Sequence, residues 1–233
     1  MSLHDATESQ RHGSVASNIH DINERVRRAA ERSCRNPDDV AVIAITKTVS
    51  RELIIEAFQA GIREFGENRV QEAGQKIPDL AGLHPQPTWH MVGHLQRNKA
   101  KLAVRLFDII QTVDSIRLAE IISHEADRDI PVLLQVNVSG EETKSGFGLG
   151  EVGPALETLT RLPHLQVEGL MTIAPLTFDP AGARPCFKQL RMLRDSLGLR
   201  HLSMGMTEDF ETAIEEGATM VRIGRGIFGE RKR

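Results

Sequence analysis

No tyrosine occurs among the 233 residues, tryptophan occurs once, and aromatic residues together make up 4%. The missing tyrosine removes one common catalytic acid/base. Cysteine is nearly absent too: only Cys34 and Cys186 could pair, which excludes a disulfide scaffold and fits a reducing compartment. Neither charge sign dominates, with 29 Lys and Arg against 32 Asp and Glu and a net charge of −3. That balance argues against nucleic acid as the main partner, because phosphate binding shows as a basic excess. Long apolar runs are missing: stretches such as 40–45 fall far short of the about 20 residues that span a membrane. The polar segment 1–13 also lacks the apolar core of a signal peptide. A cytoplasmic protein with no membrane or nucleic-acid partner is therefore expected. What is present is a 40% hydrophobic fraction, which suffices for a substantial core in a chain of this length and excludes a disordered one.

Residues 1–13 read as a frayed polar tail, and 14–233 as one domain, since no Pro/Gly/Ser-rich linker divides them. Val15, Ile19, Ile22, Val26 and Ala30 recur at helical spacing, forming one apolar stripe on a helix that ends near Asn36-Pro37. Short apolar, β-branched runs then alternate with helical patterns. Strands are expected at 40–46, 62–65, 88–92, 108–113, 131–138, 167–173, 201–204 and 220–223. Helical patterns fall at 51–60, 98–106, 116–126, 152–161, 185–197 and 209–216. Nearly continuous apolar strands, such as the run 132–138, suit parallel strands covered on both faces. The α/β alternation predicts a single (β/α)8 TIM barrel with an additional N-terminal helix. A doubly wound open sheet competes, but usually needs only about five or six strands.

In such a barrel, reactive residues lie at the C-terminal ends of strands and in the loops that follow. The first strand leads into Thr46-Lys47-Thr48. There Lys47 is either a solvated loop lysine or a partly desolvated amine that could condense with an aldehyde. The seventh strand leads into Ser203-Met-Gly-Met-Thr207 and the eighth into Arg222-Ile-Gly-Arg-Gly-Ile-Phe-Gly229. The loops after strands seven and eight are the usual phosphate site of this fold. Ser203 and Thr207 would supply hydroxyls, and the backbone at Gly224 and Arg225 would supply N–H groups at a helix start. The alternative is that these glycines are ordinary turn residues. Gly224, Gly226 and Gly229 also spell the dinucleotide fingerprint, but that motif needs a following strand and an acidic residue about twenty positions later, and the sequence runs only to Arg233.

Other constellations carry less. His90 and His94 would lie about 13 Å apart on an extended strand, too far to share a metal, so no metal site is expected. Cys34 and Cys186 sit in helical patterns and read as inert packing residues. Segment 139–146, with Lys144, is a polar glycine-rich stretch, either a mobile lid or a solvated loop. Residues 231–233 read as a solvated basic tail.

The segments Ala44-Ile-Thr-Lys-Thr48, Phe65-Gly-Glu-Asn-Arg-Val-Gln-Glu72, Trp89-His-Met-Val-Gly-His-Leu-Gln-Arg-Asn-Lys99, Lys144-Ser-Gly146, Glu168-Gly-Leu-Met171, Leu202-Ser-Met-Gly-Met206 and Met220-Val-Arg-Ile-Gly224 resemble, in order, the pyridoxal phosphate homeostasis proteins (the YggS or PROSC-like family). Only 1–14 and the insertion around 177–184 fall outside the resemblance. His94 stands where a proline is frequent, and Thr207 where a serine is. The resemblance implies a fold-type III barrel binding pyridoxal 5′-phosphate, related to the barrel half of alanine racemases. By position, Lys47 would hold the cofactor aldehyde as a Schiff base. Ser203, Thr207, Gly224 and Arg225 would hold its phosphate, Arg222 would face the pyridine nitrogen, and Asn68 would lie near the ring.

An arginine keeps its proton, so the pyridine would stay neutral and be a poorer electron sink. The related racemases add a tyrosine from a partner's β-domain as second acid/base; no tyrosine and no further domain are expected here. The resemblance therefore implies a non-catalytic carrier that buffers the cofactor and delivers it to pyridoxal-phosphate-dependent apoenzymes, as a monomer. An amino-acid racemase, with Lys144 or His90 as the extra acid/base, and a cofactor-free Schiff-base aldolase remain as alternatives.

Overall fold

The computed structural model describes residues 14–141, 144–175 and 180–230. The tails read at 1–13 and 231–233, positions 142–143 of the loop with Lys144, and 176–179 of the insertion lie outside the described residues.

Eight strands, β1 (Ala41–Ile45), β2 (Glu64–Glu67), β3 (Thr88–Met91), β4 (Ile109–Val113), β5 (Ile130–Gln135), β6 (Leu165–Met171), β7 (His201–Met206) and β8 (Met220–Ile223), close in chain order into one barrel. Every neighbouring pair is parallel, and β1 pairs with β8 to complete the ring. After the opening helix α1 (Val15–Arg32), a helix follows each strand: α2 (Arg51–Gln59), α3 (Val70–Lys76), α4 (Ala100–Leu106), α5 (Ile116–Glu125), α6 (Val152–Leu159), α7 (Arg184–Ser196), α8 (Phe210–Glu215) and α9 (Arg225–Phe228). The predicted (β/α)8 barrel with an extra N-terminal helix is the observed fold.

Alternation along the strands sorts the core into two layers. Ala44, Phe65, Ile110, Leu134, Leu170 and Ile223 belong to the large cluster shared with the helices, whereas Ile43, Ile45, Val92, Leu133, Met171 and Met220 form a separate cluster inside the barrel. Strand boundaries differ from the sequence reading by one to three residues: β5 ends at Gln135 rather than at 138, and β2 begins at Glu64 and includes Gly66 and Glu67. A glycine is unexpected within a strand; here a Cβ would lie 2.8 Å from Ile45 Cδ1, so the filled barrel interior leaves room for nothing larger. Helix α3 has no counterpart among the predicted helices. It is short, contains Gly74 and buries only Val70 and Ala73, too little for a periodic signal.

The α1 stripe packs as predicted, burying Val15, Ile19, Ile22, Val26 and Ala30. The helix lies against α8 and α9, with Asn18 Nδ2 donating to the Ile227 carbonyl at 2.9 Å and Arg25 paired with Glu211 at 2.7 Å. Cys34 corrects the sequence reading: it ends this helix at φ 54°, exposed rather than packed. Cys186 is half-buried on α7, and burial pushes its thiol pKa up. No helix among the described residues is long and apolar enough to cross a membrane.

Candidate functional site

A cavity of ≈ 860 Å³ opens at the C-terminal ends of the strands. Six of the seven predicted site residues line it: Lys47, Asn68, Thr207, Arg222, Gly224 and Arg225. They come from the loops after β1, β2, β7 and β8 and from β8 itself. Because β1 joins β8, residues far apart in sequence share one wall of the mouth. Ile45, Val92 and Phe228 give that wall an apolar part.

The loop after β1 is tightly held. Thr48 has φ 63°, a left-handed conformation that costs a β-branched residue energy and persists only where its surroundings impose it. Its N–H donates to Glu72 Oε1 at 2.6 Å, and its hydroxyl donates to the Lys47 carbonyl at 2.6 Å. Lys76 Nζ ties this loop to α3, donating to the Thr46 carbonyl at 2.7 Å, Glu72 Oε1 at 2.6 Å and Glu67 Oε1 at 3.0 Å. The Thr46 hydroxyl also donates to Glu67 Oε1, at 2.7 Å. Burial pushes the Glu67 pKa up despite these donors, and its second oxygen is buried with no hydrogen bond. Burial also acts upward on Glu72, but there the donors Lys76 and Thr48 N–H prevail and lower its pKa. Lys76, Glu67 and Glu72 thus clamp both neighbours of Lys47. Helix α3, absent from the sequence reading, carries two of these three residues, Glu72 and Lys76. Asn68 is fixed from the other side: a Cβ on Gly93 would lie 2.2 Å from the Asn68 carbonyl oxygen, so only glycine lets the loops after β2 and β3 meet.

Arg222 is buried in β8 and lines the cavity. Its NH1 donates to Ser203 Oγ at 2.7 Å and its NH2 to the Thr172 carbonyl at 2.8 Å. Burial pulls its pKa down to about 10, with Asp209 acting the other way, so the guanidinium stays charged at neutral pH. Ser203 is the predicted site residue that does not line the cavity. It is fully buried, and its hydroxyl donates to Gln111 Oε1 at 2.6 Å. Its place is behind Arg222 rather than at the mouth.

At the rim, Thr207, Glu208 and Asp209 form the turn between β7 and α8 and line the cavity. Asp209 Oδ1 accepts from Met206 N–H at 2.6 Å, and burial raises its pKa. Arg225 pairs with Glu208 at 3.1 Å. Gly224 precedes α9, whose first N–H groups have no acceptor within the helix. Sequence reasoning had no argument for Asp209, Glu67 or Lys76; the last two become legible only once α3 is seen to reach the loop after β1.

The two acid/base candidates for a racemase lie elsewhere. His90 is buried inside the barrel between Glu64 and Gln111, with both ring nitrogens engaged. Lys144 pairs with Glu141 at 2.7 Å and lines a smaller cavity of ≈ 140 Å³ that shares Ile173 with the larger one. His94 is exposed, 3.2 Å from Asp114. Among the described residues no group of three or more His, Cys, Asp and Glu could hold a metal.

Residues 17–232 match the family described as alanine racemase, N-terminal domain. Similar proteins include the pyridoxal phosphate homeostasis proteins of Aquifex aeolicus, 43% identical and covering 90% of this chain and 95% of that one, and of Pseudomonas aeruginosa, 40% identical and covering 93% and 96%. Among solved structures, PipY of Synechococcus elongatus with PLP bound is 36% identical with a TM-score of 0.81, covering 93% of this chain and all (100%) of that one. An alanine racemase of Clostridium difficile shares the fold, with a TM-score of 0.71 at 13% identity, and this chain spans 58% of its length.

Proposed function

Because the chain belongs to the alanine racemase N-terminal domain family and, within it, to the pyridoxal phosphate homeostasis proteins, we propose that it binds pyridoxal 5′-phosphate in the barrel mouth, holds it through Lys47 and passes it on. Arg222 carries this reading. It is a buried cation that lines the cavity together with the apolar Ile45 and Val92, and it has only donors to offer. A neutral heteroaromatic nitrogen, which offers a lone pair and no proton, suits such a group. When bound, the cofactor supplies an aldehyde carbon that an amine joins reversibly.

The chain's own residues then divide the work. Lys47 supplies the amine, and its clamped neighbours fix where that amine emerges. Arg222 donates to the ring nitrogen and, charged at neutral pH, cannot take a proton from anything there. The ring is thereby kept a weak electron sink. The Thr207 hydroxyl and the N–H groups at Gly224 and Arg225 bind the phosphate, while Asn68 borders the ring and Phe228 helps to exclude water. With His90 and Lys144 engaged away from the cavity, the reading is a carrier rather than a catalyst, cytoplasmic and monomeric, whose recipients are pyridoxal-phosphate-dependent apoenzymes.

Borohydride reduction of the loaded protein, followed by peptide mass mapping, tests the attachment. The expected result is a single label on Lys47, lost in Lys47→Ala. A label elsewhere, or equal labelling of the variant, would sink the assignment. A second reading, residual chemistry on amino acids, has one specific support: the Asp209 carboxyl lines the cavity with its pKa raised by burial. Deuterium exchange at Cα across a set of amino acids, compared with Asp209→Asn, separates the two; no exchange above buffer favours the carrier.

A further inference from the structure

The barrel interior contains a continuous hydrogen-bonded chain that cofactor contact does not explain. From Arg222 NH1 it runs to Ser203 Oγ (2.7 Å) and then to Gln111 Oε1 (2.6 Å). It continues from Gln111 Nε2 to His90 Nδ1 (2.9 Å) and from His90 Nε2 to Glu64 Oε2 (2.6 Å). These residues sit on β8, β7, β4, β3 and β2, so the chain crosses the barrel. It ends at Glu64, the first residue of β2 and therefore at the face opposite the cavity. All its members are buried except Glu64, which is partly exposed.

Arginine sets the polarity of the whole chain. A guanidinium can only donate, so Ser203 accepts from it and spends its own proton on Gln111. The Gln111 carbonyl thus faces Ser203 and its NH2 faces His90. His90 Nδ1 must therefore be the bare nitrogen, and Nε2 carries the proton given to Glu64. Reversing any one link would leave Ser203 with two donors or set two acceptors against each other. The chain therefore joins a buried cation with no bonded carboxylate among the described residues to a distant carboxylate, through links that polarise one another.

We propose that Glu64, His90, Gln111 and Ser203 form a positioning relay that fixes the orientation of the Arg222 guanidinium, so that the face of the barrel opposite the cavity controls the group meeting the cofactor ring. The ring half of this statement rests on the cofactor reading above; the Arg222 half stands without it. None of Glu64, His90 or Gln111 lines the cavity, so they act only through Arg222.

The test uses the full chain with and without added pyridoxal 5′-phosphate, with melting temperature as the folding control. In the cofactor-free protein, NMR reads the exchange of the Arg222 guanidinium protons with water. Glu64→Ala and Gln111→Leu are each expected to speed that exchange about tenfold. The double variant should be no faster than the faster single one, because one broken link already disconnects the chain. Glu64→Gln keeps an acceptor for His90 and is expected to stay within about twofold of the native chain. With cofactor, the same variants are expected to shift the absorption maximum of the bound chromophore and to weaken retention about tenfold. Independent, multiplying effects, or unchanged Arg222 exchange in well-folded variants, would overturn the relay. So would a Glu64→Gln variant as defective as Glu64→Ala. If Gln111→Leu does not fold, the Glu64 variants decide. A native chain that takes up no cofactor would defeat the cofactor reading, while the exchange measurement still judges the relay.

Discussion

Ser203 and Thr207 stand four positions apart on one strand and its turn, yet the structure gives them different environments. Thr207 lines the cavity, whereas Ser203 is buried and bridges Arg222 and Gln111. Ser203→Ala is therefore expected to cost about 1–3 kcal/mol in urea unfolding, since it leaves a buried guanidinium N–H and a buried amide oxygen unpaired. Thr207→Ala should leave stability within ~0.5 kcal/mol and instead weaken cofactor retention, measured by dialysis, about tenfold. Glu67 makes a pH-dependent case. Burial raises its pKa above the ordinary 4.5, so as pH climbs past that value the unfolded chain releases a proton that the folded chain keeps. Stability attributable to Glu67 falls with rising pH until the raised value is passed. Glu67→Gln removes this slope and is expected to improve relative to the native chain as pH rises above the ordinary 4.5, as read by urea unfolding at a series of pH values. At this scale six of the seven residues singled out in the sequence line the cavity, because strand ends locate a barrel mouth. It misplaced Ser203 because two-residue alternation tells which side of a strand a residue faces, not how deep in the barrel it lies.

The loop carrying Lys47 depends on an element that contributes little core. Helix α3 supplies Glu72 and Lys76, which hold Thr48 and Thr46 in place. Lys76→Met would strand the fully buried Glu67 carboxyl without its cation and is expected to destabilise by about 3–5 kcal/mol, measured by thermal or urea unfolding. Two glycines should respond in opposite ways. Gly93→Ala drives a methyl into the Asn68 backbone and is expected to cost about 3 kcal/mol or more. At Gly224 the nearest atom to an added Cβ is Ile45 Cβ, at an ordinary 3.6 Å. Gly224→Ala should thus fold normally while retaining the cofactor less well. Helices with an apolar stripe, such as α1, announced themselves in the sequence. Helix α3 did not, because its work is electrostatic and its two buried residues leave no periodic signature.

For the whole molecule, eight alternating strand–helix units were enough to specify a closed barrel, since chirality and length leave few other ways to bury strands apolar on both faces. A ligand that binds only the folded barrel must stabilise it. Pyridoxal 5′-phosphate at ~100 times its dissociation constant is expected to add about 2.7 kcal/mol, raising the melting temperature by roughly 5–10 °C. An unchanged melting temperature in a calorimetric scan would argue against binding to the folded state. The bond from Asn18 to the Ile227 carbonyl joins residues 209 positions apart, and β1 can close only onto β8. During synthesis, then, Lys47 leaves the ribosome long before the wall facing it exists. The nascent chain has its amine early but no cradle until β8 and the turn after it are made. Ribosome-stalled chains ending before β8 should accordingly fail to retain the cofactor that the finished protein keeps.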